Sequence, residues 1–115
     1  MSVTIWHNPR CSKSRMTLGL LEERGIEPNI VTYLDTPPSV QELNDILGLL
    51  GKSPRDLMRK GEAEYKDQGL DNVDLSDAQL VEAMVATPKL IERPVVLANG
   101  KAAVGRPPES VLDIL

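Results

Sequence analysis

Three observations predict an α/β fold for this chain. Its first 33 residues read as a β-branched run, a helical stretch and a second β-branched run; an Asn-Gly pair separates two short apolar runs near its end; and capped segments of helical periodicity lie between. The first pattern is a parallel βαβ unit with a right-handed crossover, and the second is an antiparallel hairpin. At 115 residues the chain is expected to form a single domain, residues 1–115, with a helical insertion over about residues 39–88.

Each element has a local reason. Val3-Thr4-Ile5-Trp6 is β-branched and aromatic, and Asn8-Pro9 then marks a turn, so a strand runs into a loop that carries Cys11. Ser12 to Arg24 contains no breaker except Gly19, and Gly25 supplies the stop. Asn29 to Tyr33 reads as the second strand. Ser39 and Glu42 form a capping box ahead of Val40, Leu43, Leu47 and Leu50 at helical spacing. Ser53-Pro54 reads as an N-cap and first residue of a short helix through Arg59, and Ser76 with Gln79 caps a further helix that ends before Pro88. Val95–Ala98 and Lys101–Val104 flank Asn99-Gly100, whose residue types suit the positive φ of a type I′ turn. A short helix after Pro107-Pro108 closes the order.

Composition narrows the class. With no Phe, one Trp and two Tyr, the core must be aliphatic. Thirteen basic against seventeen acidic residues give a net charge of −4, which argues against binding to nucleic acid or an anionic membrane. A single Cys excludes an internal disulfide and points to a reducing compartment. The start of the sequence has no basic, apolar and small-residue leader pattern, and no apolar run reaches the roughly eighteen residues of a membrane span, so a soluble cytoplasmic protein is expected.

Cys11 follows a strand at the start of a helix, where unpaired N–H groups favour a thiolate. It reads as a nucleophile; the alternative is a buried Cys serving as a small apolar side chain. Arg15 lies one helical turn further on, where its fork could hold an oxyanion or simply be solvated. Three residues separate the two, whereas a phosphatase loop needs five, so that chemistry fails on spacing. His7 either promotes the thiolate as an imidazolium or ends the strand with a hydrogen bond. Trp6 reads as core. Arg59, Arg93 and Arg106 each read alone as solvated charges, although Arg93-Pro94 can be cis beside a reactive Cys. Glu62, Glu64 and Glu92 read as solvated surface charges. One His and one Cys supply too few donors for the common transition-metal sites, so no metal is expected; no bound cofactor is expected either.

Taken together, His7-Asn8-Pro9-Arg10-Cys11-Ser12-Lys13-Ser14-Arg15, Leu57-Met58-Arg59-Lys60, Glu92-Arg93-Pro94-Val95-Val96 and Gly105-Arg106-Pro107 resemble the ArsC family of glutathione- and glutaredoxin-dependent arsenate reductases. The resemblance spans essentially the whole chain. It implies a thioredoxin-like fold with a helical insertion, and arsenate reduction in arsenic detoxification. It also implies Cys11 as nucleophile with Arg15 beside it, Arg59, Arg93 and Arg106 as a cationic cluster around the oxyanion, Arg93 facing Cys11, and His7 as the group that promotes the thiolate.

Reduction of arsenate takes two electrons, and one Cys is half of a disulfide. A second thiol must therefore come from outside, and the resemblance implies glutathione as that co-substrate, with glutaredoxin as partner. The same superfamily leaves two alternatives, a glutathione-dependent monothiol oxidoreductase and an Spx-like regulator that binds RNA polymerase. Ser14 departs from the C-x-x-C pattern of many Spx-like regulators, and Arg15, where much of that branch has Lys, favours the reductase.

Overall fold

The alternation in Val3-Thr4-Ile5-Trp6 sends Val3 and Ile5 to one face of a sheet and Trp6 to the other, and all three are buried. In the computed structural model, which describes residues 2–115, this strand (β1, Val3–Trp6) lies inside a four-stranded sheet of order β2-β1-β3-β4. The other strands are β2 (Asn29–Val31), β3 (Val95–Ala98) and β4 (Lys101–Val104). β1 pairs in parallel with β2 and antiparallel with β3, and β3 pairs antiparallel with β4. The parallel βαβ unit and the hairpin are both present. Asn99 and Gly100 take φ of 55° and 71°, as a two-residue primed turn requires.

The backbone contacts divide the chain into two compact units, one comprising residues 2–36 with Arg93–Leu115 and the other Pro37–Glu92. In the first, helix α1 (Ser12–Glu23) turns Ser14, Thr17 and Leu21 inward. It ends in a left-handed Gly25, with Gly25 N–H bonded to Glu22 O at 2.9 Å and Ile26 N–H to Leu21 O at 3.0 Å. These two bonds satisfy carbonyls that the helix end would otherwise leave open. Leu21 packs with Val3, Ile5, Val96, Ala98, Val111 and Ile114 in an aliphatic core, as the lack of Phe demanded. Each such side chain contributes roughly 1.5–3 kcal/mol when fully buried.

Two elements of this unit differ from the expectation. β2 stops at Val31, because Thr32 O accepts from Asp35 N–H at 2.9 Å and starts a turn, and the fully buried Tyr33 ring stacks on Trp6 with centroids 6.4 Å apart. The closing helix is a 3₁₀ segment, Pro108–Ile114. Its buried residues, Pro108, Val111 and Ile114, recur every third position, which matches three residues per turn and aligns one apolar edge with the core.

The second unit is helical: α2 (Val40–Leu50), α3 (Pro54–Leu57), α4 (Ala63–Asp67), α5 (Asp77–Ala86) and a 3₁₀ turn over Pro88–Leu90. Both capping boxes form, at Ser39/Glu42 and Ser76/Gln79. Leu43, Ile46 and Leu47 of α2 and Leu80, Val81 and Met84 of α5 are buried. α3 ends at Leu57 instead of running to Arg59, because Met58 turns extended and bridges Ile91; Arg59 N–H bonds to Leu90 O at 2.7 Å and Glu92 N–H to Leu57 O at 2.8 Å. α4 was not foreseen. Its Tyr65 is buried and accepts a 2.7 Å bond from Arg55, which also donates to the carbonyls of Leu70 and Asn72. No helix among the described residues is long and apolar enough to cross a membrane.

Candidate functional site

Strand register determines which loops meet. Trp6 pairs with Val95, and Val95 with Val104. The segment leaving β1, the segment entering β3 and the segment leaving β4 therefore share one end of the sheet. They carry Cys11, Arg93-Pro94 and Gly105-Arg106.

The Cys11 loop is built as a turn. Cys11 N–H donates to Asn8 O at 3.0 Å, with Pro9 at the turn's second position, and the buried Asn8 side chain accepts Arg10 N–H at 3.0 Å. Cys11 then takes an extended conformation as the N-cap of α1, and its carbonyl accepts Arg15 N–H at 3.0 Å. Its side chain makes no capping bond and is half-buried, so the sulfur stays available at the positive end of a twelve-residue helix.

Arg106 is the cation at the sulfur. Its Nη2 lies 3.8 Å from Cys11 Sγ, and its Nε donates to Arg93 O at 2.9 Å, which fixes the guanidinium at both ends. Arg93-Pro94 is cis, as expected at this position, and so is Arg106-Pro107. Arg93 is partly buried, and its Nε has no hydrogen-bond partner among the described residues. A buried charged donor left in that state is costly, and an anion would satisfy it. Arg15 is exposed on α1 one turn from Cys11.

His7 departs from the imidazolium role. Its backbone N–H donates to Val31 O at 2.9 Å and its ring Nδ1 lies 2.6 Å from Ser14 Oγ, which also accepts Asn8 N–H at 3.0 Å. Burial pushes the ring's pKa below its ordinary 6.5, so at neutral pH it is an uncharged imidazole and offers the sulfur no positive charge. Ser14, fully buried, is the residue the sequence reading left without a role. A Ser three residues after a Cys gives no hint that its hydroxyl will tie helix to loop.

Arg59 belongs to the second unit, where its Nη1 pairs with Glu62 at 2.8 Å. Glu62 also lies 3.7 Å from Lys89, which holds Glu64 at 2.8 Å. Glu62 and Glu64 are thus members of an ion-pair network and not isolated solvated charges, and Glu92 carries a buried carboxylate oxygen.

A mixed four-stranded sheet with a cysteine at its first strand–helix junction defines a protein of the thioredoxin-like class, the fold of the ArsC-family structures it matches. Within that class the chain belongs to the ArsC family, whose family model matches residues 6–114. It is 56% identical over 114 residues to the uncharacterized protein YfgD of Escherichia coli K12, covering 98% of this chain and 96% of that one. It is 55% identical over 114 residues to a Neisseria meningitidis protein named arsenate reductase, covering 98% and 97%. The solved structure of arsenate reductase from Vibrio cholerae matches with a TM-score of 0.97 at 54% identity, covering 100% of this chain and 98% of that one.

Proposed function

We propose that this protein reduces arsenate to arsenite, with Cys11 as nucleophile, glutathione as the second thiol and glutaredoxin as the partner that completes the transfer. The observation that carries the reading is the Arg106 guanidinium 3.8 Å from Cys11 Sγ, a cation placed where an oxyanion would meet the sulfur. Membership of the ArsC family, and relatives named arsenate reductase, support arsenate as that oxyanion.

Cys11 thiolate attacks arsenic and water leaves, giving a sulfur–arsenic(V) bond. Attack of one anion on another is the difficult step, and Arg106, Arg93 and Arg15 lower it by neutralising charge as it gathers on the arsenate oxygens. Glutathione then attacks the adduct and glutaredoxin takes over the glutathionyl group. Two thiols end as one disulfide, and the two electrons they release convert As(V) to As(III). Hydrolysis frees arsenite and returns Cys11 as a thiol. His7 acts through Ser14 to hold the loop.

The test is oxidation of NADPH in a coupled assay with arsenate, glutathione, glutaredoxin and glutathione reductase. Arsenate-dependent turnover that disappears in Cys11→Ser is expected. A protein that reduces a glutathione mixed disulfide but shows no arsenate-dependent rate would be a monothiol oxidoreductase, and this reading would fall.

A further inference from the structure

We propose that Gly105 is a positioning residue: its missing side chain lets the end of β4 lie against Thr17 and Pro94, and this sets the Arg106 guanidinium at Cys11.

Of the eight glycines, seven have nothing within 4 Å of where a Cβ would stand. Gly105 differs. A Cβ there would lie 2.5 Å from Thr17 Oγ1, 2.7 Å from Pro94 Cγ and 3.2 Å from Pro94 Cδ. Its φ lies outside the left-handed region, so space and not backbone conformation is what requires glycine here.

Neither neighbour yields freely. Thr17 is fully buried on α1, and its hydroxyl is committed to Lys13 O at 2.8 Å. Pro94 is buried, and its carbonyl accepts Gly105 N–H at 2.9 Å. Gly105 thus sits where three segments of the site cross: α1, which starts at Cys11; the entry to β3, which carries Arg93; and the exit from β4, which carries Arg106. A methyl group must push the 105–107 segment away from α1, and the next residue is the one whose guanidinium spans Arg93 O and Cys11 Sγ.

The inference shares the Arg106–Cys11 geometry with the proposed function, but its test needs no arsenate. Cys11 is alkylated with iodoacetate, an anion, and with iodoacetamide, which is neutral. Both react with the same thiolate, so the ratio of their rates cancels the thiolate fraction and reports the local positive charge. Arg106→Ala should lower the iodoacetate-to-iodoacetamide ratio by about fivefold, the size of one unit charge a few ångströms away in a wet site. Gly105→Ala should fall to the same level with its circular dichroism unchanged. Thr17→Ala/Gly105→Ala, which removes the hydroxyl from the methyl's path, should recover part of the ratio.

The proposal is overturned if Arg106→Ala leaves the ratio at the parental value, or if folded Gly105→Ala keeps it. It is overturned as well if the folded double variant stays at the Arg106→Ala level, since the steric route would then be wrong. If neither Gly105 variant folds, glycine is required by the fold as a whole and the proposal fails too.

Discussion

The His7 ring and the Ser14 hydroxyl meet at 2.6 Å across seven residues of chain, joining the end of β1 to the first turn of α1 beneath Cys11. Ser14 Oγ also accepts Asn8 N–H, so one buried hydroxyl holds two points of the Cys11 loop. Ser14→Ala leaves a ring nitrogen and a backbone N–H buried without this partner. Such orphaned groups cost about 1–3 kcal/mol, and urea unfolding should show a loss of that size. An unchanged midpoint would mean that the loop holds without the hydroxyl.

The same pair makes stability depend on pH. Burial lowers the pKa of His7 in the folded state below 6.5, so as pH falls through that value the unfolded chain takes up a proton that the folded chain refuses. This contribution is fully present above about pH 6.5 and declines below it, by at most about 1.4 kcal/mol per pH unit. Urea unfolding near pH 7.5 and near pH 5.5 should therefore show a larger loss for the parent than for His7→Gln. Equal losses would show that the ring accepts its proton without penalty in the fold.

What could be read in the sequence was what neighbouring residues decide. Asn99-Gly100 specifies its turn through backbone preference alone, and Ser39 with Glu42 caps a helix within four residues. α4 is different, since five residues cannot sustain a helix without tertiary help, and the help comes from Arg55 meeting Tyr65 ten positions away. Pro107-Pro108 announced a helix, but the three-residue spacing of Pro108, Val111 and Ile114 became meaningful only with the sheet beneath it. At the site, Cys11 was visible from its strand-to-helix placement, and Arg106 only through family resemblance, because 95 residues separate it from the sulfur it approaches. Ser14 and Gly105 stayed hidden for the same reason: what each does is set by what packs against it.

Asn99 has a second task. It adopts φ of 55°, and its Nδ2 donates to Ile114 O at 2.8 Å, tying the hairpin to the end of the 3₁₀ segment. Asn99→Ala loses that bond and pays a left-handed penalty, together about 1–3 kcal/mol. Asn99→Gly loses the bond but adopts the conformation easily, so it should lie between Ala and the parent in urea unfolding. Gly as destabilising as Ala would assign the whole effect to the bond.

Arg106 performs two tasks that a point charge cannot combine. Its Nε holds Arg93 O while Nη2 reaches Cys11 Sγ, and only a planar fork presents both donors at once. Arg106→Lys keeps the charge but has one nitrogen, which can serve the carbonyl or the sulfur. Loss of one charge-assisted bond, about 1.5–3 kcal/mol, should lower kcat/KM for arsenate by roughly ten- to a hundredfold. Arg24→Lys, an exposed change just past the far end of α1, should leave it unaltered and controls for general effects of the exchange. Steady-state kinetics of both variants in the coupled assay, with folding checked by circular dichroism, decide the matter. If Arg106→Lys matched the parent, positive charge alone would be sufficient at the sulfur, and the tether to Arg93 would have no part in catalysis.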